Sequence, residues 1–142
     1  MAANTLPIFP LTPINWSVKL TNQTVPRDIT TQVPIEFGTA GKNGGLIHTI
    51  FVQQLGNNIA TVVRLYHKGE IDDGYNLLRE LTLPAITAAS ETAEIAPINF
   101  TLPWILPSGN AGLHLAPNSG LYLGLGTAIA SGVRVWALGG NY

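Results

Sequence analysis

"LIHTIFVQQLGNNIATVVRLYHK", residues 46–68, decides the fold class of this chain. Two runs rich in β-branched and aromatic residues, Leu46 to Leu55 and Ile59 to Lys68, flank Gly56-Asn57-Asn58. Such runs pack well on a pleated surface, and the residues between them tolerate positive φ. The stretch therefore predicts two strands joined as a hairpin.

The same period of two continues on either side. Trp16, Val18 and Leu20 alternate with Ser17, Lys19 and Thr21, and Val33, Ile35 and Phe37 alternate with Pro34 and Glu36. Pro34 cannot donate to a ladder, which places its strand at an edge. After the polar turn Gly69–Asn76, Leu77, Leu81 and Leu83 share one face of a further strand. Ile98, Phe100, Leu102 and Trp104 alternate with Asn99, Thr101 and Pro103, the pattern of a half-buried strand, which makes Trp16 and Trp104 core residues. A short strand at Leu113–Leu115 and a closing hairpin within Gly120–Tyr142 complete the series. Residues 87–94 could form at most a short helical turn. The chain thus reads as about eight strands with frequent turn signals: an all-β, antiparallel, jelly-roll-like β-sandwich.

The 142 residues fit one domain, 15–142, preceded by an extended arm, 1–14. Pro7, Pro10 and Pro13 stand three apart with Ile8, Phe9, Leu11 and Ile14 between them, a polyproline-II spacing. The arm either packs on its own domain or lies across a neighbouring subunit. Only 11% of residues are charged, against a usual ~25%, while 46% are hydrophobic. Charged surface keeps monomers apart, so part of this exterior is expected to be covered by other subunits. The alternative is a surface of uncharged polar residues, since Asn, Thr, Gln and Ser are plentiful.

A net charge of −1 provides no basic footprint for nucleic acid and no polybasic membrane patch. Nothing resembles a secretory leader, and no apolar run approaches the ~18 residues of a membrane span. Synthesis in a cytoplasm is expected. With no cysteine, disulfides and thiolate chemistry are excluded.

Candidate chemistry is sparse. His48, His67 and His114 lie on three expected strands without ligand spacing. Glu70, Asp72, Asp73 and Asn76 around Gly74 resemble a fragment of a calcium loop, but an Asp-Gly turn accounts for them. No G-x-S-x-G elbow occurs, and Gly41–Gly45 lacks the phosphate-loop pattern. No catalytic residue, metal or cofactor is expected.

The closing stretch offers a surface instead. Leu121, Leu123 and Leu125 face one way, and Tyr122, Gly124 and Gly126 the other; Trp136 alternates to the side opposite Val133, Val135 and Ala137. Gly124 and Gly126 leave a flat face that another backbone could approach. Candidate interface residues are therefore Pro7, Phe9, Pro10, Leu11 and Pro13 in the arm, with Tyr122, Gly124, Gly126 and Trp136.

The phrases "VQQLGNNIATVVRLY" (52–66), "LPSG" (106–109) and "LGLGTAIASGVRVWALGG" (123–140) resemble small virion structural proteins of tailed bacteriophages, cyanophages included, that decorate or cement the capsid. The resemblance spans Leu46 to Tyr142 and implies a jelly-roll-like homotrimer on the capsid exterior, bound to the major capsid protein and made in a host bacterium. It implies no reacting group and does not reach the arm. The competing expectation is a tail, baseplate or receptor-binding β-sandwich that recognises host-surface glycans.

Overall fold

The computed structural model describes residues 10–102, 104–105 and 111–142. Among them ten strands follow in chain order: β1 (Thr12–Leu20), β2 (Ile35–Thr39), β3 (Gly45–Gln54), β4 (Thr61–Lys68), β5 (Asn76–Leu83), β6 (Ile98–Asn99), β7 (Trp104–Ile105), β8 (Ala111–Leu115), β9 (Gly120–Leu125) and β10 (Val133–Asn141). Residues 87–94 form turns and bends rather than a helix.

The strands divide into two antiparallel sheets. The first has the order β1-β10-β3-β8-β7, with β6 pairing β3 as well, and the second has the order β2-β9-β4-β5. Apart from β4 to β5, each successive long strand passes to the other sheet, which is the connectivity of a jelly roll. Alternation supplies the core. Ile50, Val52, Val133, Val135 and Ala137 of the first sheet meet Val63, Leu65, Leu121, Leu123 and Leu125 of the second, and all ten are fully buried.

The expected hairpin at residues 46–68 does not form. β3 lies between β10 and β8, whereas β4 lies between β9 and β5 in the opposite sheet. A tight two-residue hairpin turn needs positive φ at its centre. Gly56, Asn57 and Asn58 have none; among the described residues positive φ occurs at Gly44, Asn118 and Gly132. The closing pair behaves likewise, with β9 in the second sheet and β10 in the first. Their inward faces are nevertheless those the alternation indicates, because both sheets bury the same side of each strand toward one core.

Two further differences have local causes. Residues 12–14, assigned to the arm, open β1: Thr12, Pro13 and Ile14 oppose Asn141, Gly140 and Gly139. Pro13 is tolerated there because β1 is an edge strand. In β5 a bulge opposite Leu65/Tyr66 breaks the leucine face. Leu77 is left exposed, while Leu78 and Leu81 pack on the core. The side chain of Trp104 lies outside the described part.

Trp16 closes the open side of the sandwich between the edge strands β1 and β2. Its indole meets Phe37 edge-on, with centroids 5.9 Å apart and planes at 66°, and lies directly over Gly38. A Cβ at Gly38 would enter that ring. Gly38→Ala is therefore expected to destabilise the domain by about 2 kcal/mol, seen as a loss of roughly 6–8 °C in thermal unfolding. Gly74→Ala, where an added Cβ meets nothing within 4 Å, should leave the melting temperature unchanged.

Candidate interaction surfaces

Part of the outer face of the second sheet, around Arg64, Tyr66 and Gly124, is covered by the chain itself. Leaving β1, residues 21–27 cross to this sheet, where Val25 N–H donates to Leu125 O at 3.0 Å and Leu125 N–H to Gln23 O at 2.8 Å. Arg64 of β4 is buried beneath this crossing. It donates Nη1 to Val25 O at 2.6 Å and Nε to Glu80 Oε1 at 2.8 Å. Arg27 reaches the same carboxylate at 2.8 Å, and Tyr66 OH donates to Pro26 O at 2.7 Å. The Arg64 hydrogen bond outweighs the opposing desolvation and, with smaller help from Arg27, holds the Glu80 carboxyl below the ordinary range.

This arrangement decides what Gly124 does. Its absent side chain makes room for Val25, whose Cβ lies 2.8 Å from where a Gly124 Cβ would stand. The group that approaches the flat face is thus the chain's own Val25 side chain. Gly126 remains exposed beside the Arg64 guanidinium. Tyr122 sits edge-on to Tyr75 with centroids 4.8 Å apart, and burial pushes its phenol pKa up.

Trp136 lies on the other side of the molecule. On the outer face of the first sheet it stacks on Phe51, with centroids 6.3 Å apart and planes at 15°. Ser17 and Asn99 flank this pair, and the neighbouring rows are Asn15–Leu138–Thr49 and Lys19–Arg134–Gln53. Leu138 is exposed. No Asp or Glu occurs on any strand of this sheet. Trp136 and the Tyr122–Gly124–Gly126 row therefore do not form one surface. Of the arm candidates, Leu11 is 81% exposed, donates N–H to Asn141 O at 2.7 Å and follows Pro10, which rests on Gly140. Pro7 and Phe9 lie outside the described residues.

The two ends of the sandwich differ in chemistry. At one end, turns 40–44, 69–75 and 116–119 carry Lys42, Glu70, Asp72 and Asp73. Asp72 accepts from Gly69 N–H at 2.9 Å and Glu70 from Asn118 Nδ2 at 3.0 Å, so these carboxylates serve the turns. His67 and His114 share a cavity of about 310 Å³ with Asn76, Leu77, Leu78 and Leu113, while His48 stands exposed at a bulge of β3. Among the described residues no group of three or more His, Asp or Glu is placed to hold a metal ion.

The opposite end is organised by Asn58, which the residue pattern presents only as a turn former. It is 4% exposed. Its Oδ1 accepts from Ser131 N–H at 2.9 Å and Gly132 N–H at 3.1 Å, and its Nδ2 donates to Gly132 O at 3.1 Å and Gln54 Oε1 at 3.3 Å. Its backbone exchanges two hydrogen bonds with Ile86, and Asn57 Oδ1 accepts from Ala89 N–H at 2.8 Å. Three loops are thereby held as one unit around a recess of about 450 Å³ lined by Ile59, Ile86, Thr87, Ala128 and Ala130 together with Asn57 and Asn58. The signal lay in three similar uncharged phrases, "NNIA" (57–60), "AITAA" (85–89) and "TAIAS" (127–131). Only the fold brings them together.

No helix among the described residues is long and apolar enough to cross a membrane. No family model matches the chain, and no match to it was found among curated proteins or solved structures.

Proposed function

We propose that this chain is a virion structural protein that binds the outer surface of a phage capsid as a cement or decoration oligomer, in line with the phrasing of Leu46–Tyr142. The observation that carries this reading is the outer face of the first sheet. Phe51, Trp136 and Leu138 lie there on a rigid sheet whose strands hold no carboxylate. Such a face suits broad contact with another protein, in which aromatic anchors contribute most of the energy. The prominent buried polar groups, Asn58 and Arg64, are engaged in holding loops. The mechanism is mass action: a ligand that binds only the assembled shell stabilises it by RT ln(1 + [L]/Kd) at each site.

Sedimentation of the purified protein with empty, expanded capsids tests this. Saturable binding that raises the temperature of shell disassembly is expected, and Trp136→Arg should weaken it at least ~30-fold, a typical loss for an aromatic anchor. Absence of binding by the wild-type protein would overturn the proposal. A second reading, recognition of host glycans, is favoured by one observation: the Trp136–Phe51 stack is bordered by Asn15, Ser17, Thr49, Gln53 and Asn99, an aromatic platform ringed by hydrogen-bonding groups. That reading requires Trp136-dependent binding on a glycan array.

A further inference from the structure

Two cations stand together on the outer face of the first sheet without a counter-charge. Lys19 of β1 and Arg134 of β10 are directly opposite in the ladder, a register in which like charges oppose pairing. The strands of this sheet carry no Asp or Glu, and both ion pairs among the described residues are made by Glu80 of the second sheet. At the β3 end of the same row, Gln53 Nε2 donates to Ile95 O; the adjoining Glu94 pairs with neither cation. Local rules broken in this way without compensation mark functional surfaces.

The cations are also placed. Arg134 is half-buried and donates Nη1 to Ser17 Oγ at 3.0 Å, and Ser17 is the residue opposite Trp136. Its guanidinium is thereby drawn from its own row toward the indole. The Lys19 stem rests beside Gly132, its Cε 3.0 Å from where a Cβ there would stand, which keeps Lys19 at the margin of the face.

We infer that this face docks on an acidic protein surface, one that sets a carboxylate against Arg134 and Lys19 about 7 Å, the spacing of alternate strand residues, from an apolar group seated on Trp136 and Phe51. This rests on the capsid reading above and adds the chemistry of the partner. Charge complementarity selects the occupant. A second copy meeting this face with its own would bring cations against cations. A nucleic-acid strand carries a phosphate on every nucleotide, and two cations on a chain of net charge −1 offer it too few partners. A glycan would use the aromatic pair and its polar border but has no use for Leu138, 39% exposed in the next row; a protein covers it. An apolar centre with charges toward its edge is the anatomy of a protein interface. Arg134, already held by Ser17, loses little freedom on pairing with a carboxylate, and the exposed Lys19 steers the approach.

The test is sedimentation with empty, expanded capsids of the phage whose genome encodes the chain. Lys19→Glu and Arg134→Glu should each weaken binding by ~10-fold or more. Lys42→Glu makes the same change in net charge at the turn end and should leave binding unchanged. Wild-type binding should also weaken by ~10-fold or more from about 0.1 M to about 1 M salt, as the Debye length falls from about 10 Å to about 3 Å. Lys19 is exposed, so Lys19→Glu should keep the wild-type far-ultraviolet circular dichroism, and it decides if Arg134→Glu does not fold. Wild-type binding that neither salt nor Lys19→Glu alters would overturn this inference and leave the capsid reading standing. Absence of wild-type binding would overturn the capsid reading and this inference with it. Lys19-dependent binding to acidic glycans on an array, in place of capsid binding, would assign the face to sugars and overturn both.

Discussion

Asn58→Ala is expected to lower the melting temperature by about 10 °C, corresponding to roughly 3 kcal/mol in a domain of this size. The side chain is buried and makes four hydrogen bonds, two of them accepted from the backbone N–H groups of Ser131 and Gly132. Alanine would leave those two donors without their partner in a closed environment, while Gly132 O keeps the N–H of Leu55, and each such loss costs about 1–3 kcal/mol before relaxation and water entry reduce the sum. The neighbouring Asn57→Ala removes one hydrogen bond at an exposed position, so its effect should stay within about 1 kcal/mol. A comparison of the two variants by thermal unfolding checks the assignment. Equal effects would mean that Asn58 does not organise the loop end.

Arg64→Leu is the second large effect, about 2–3 kcal/mol or roughly 8 °C. Arg64 is 8% exposed and holds both Val25 O and the Glu80 carboxylate, so its loss removes one tie of the crossing segment 21–27 to the second sheet and leaves Glu80 without its buried partner. Arg27 is mostly exposed, and Arg27→Ala should change stability by less than about 1 kcal/mol. The pH dependence follows from Glu80. Its folded pKa is lowered from 4.5, chiefly by the Arg64 hydrogen bond, so the group contributes stability that is present above pH 4.5. That contribution is lost as the pH falls through the lowered folded value. The gap in melting temperature between wild type and Arg64→Leu should therefore narrow on acidification through this window. A gap that stays constant would show that Glu80 does not share in the effect.

What the residue pattern discloses is bounded by what a period of two encodes. Alternation reports which side of a strand is buried, and Leu121, Leu123, Leu125, Val133, Val135 and Ala137 do face the core. Alternation says nothing about the partner strand. In a sandwich, two successive strands bury equivalent faces whether they pair in one sheet or oppose one another across the core. The hairpin at 46–68 and the closing pair fail for that reason. What separates the alternatives is a side chain, Asn58, whose hydrogen-bond partners lie 73 and 74 residues away in sequence.

The candidate surfaces divide along the same line. Trp136 could be assigned to an outer face from its strand alone. Gly124 could not, because Val25, which occupies the space above it, reaches that place only through the crossing from the first sheet to the second. The uncharged loop end was harder still. Its three phrases are unremarkable singly, and their composition acquires meaning only when Asn58, Ile86 and Gly132 stand together.

The cement reading is tested most directly by counting this chain in purified virions whose genome encodes it, using quantitative mass spectrometry against the major capsid protein. The account predicts a fixed, high ratio to the major capsid protein, as a shell covered at repeated lattice points requires. A few copies per particle, or none, would contradict it.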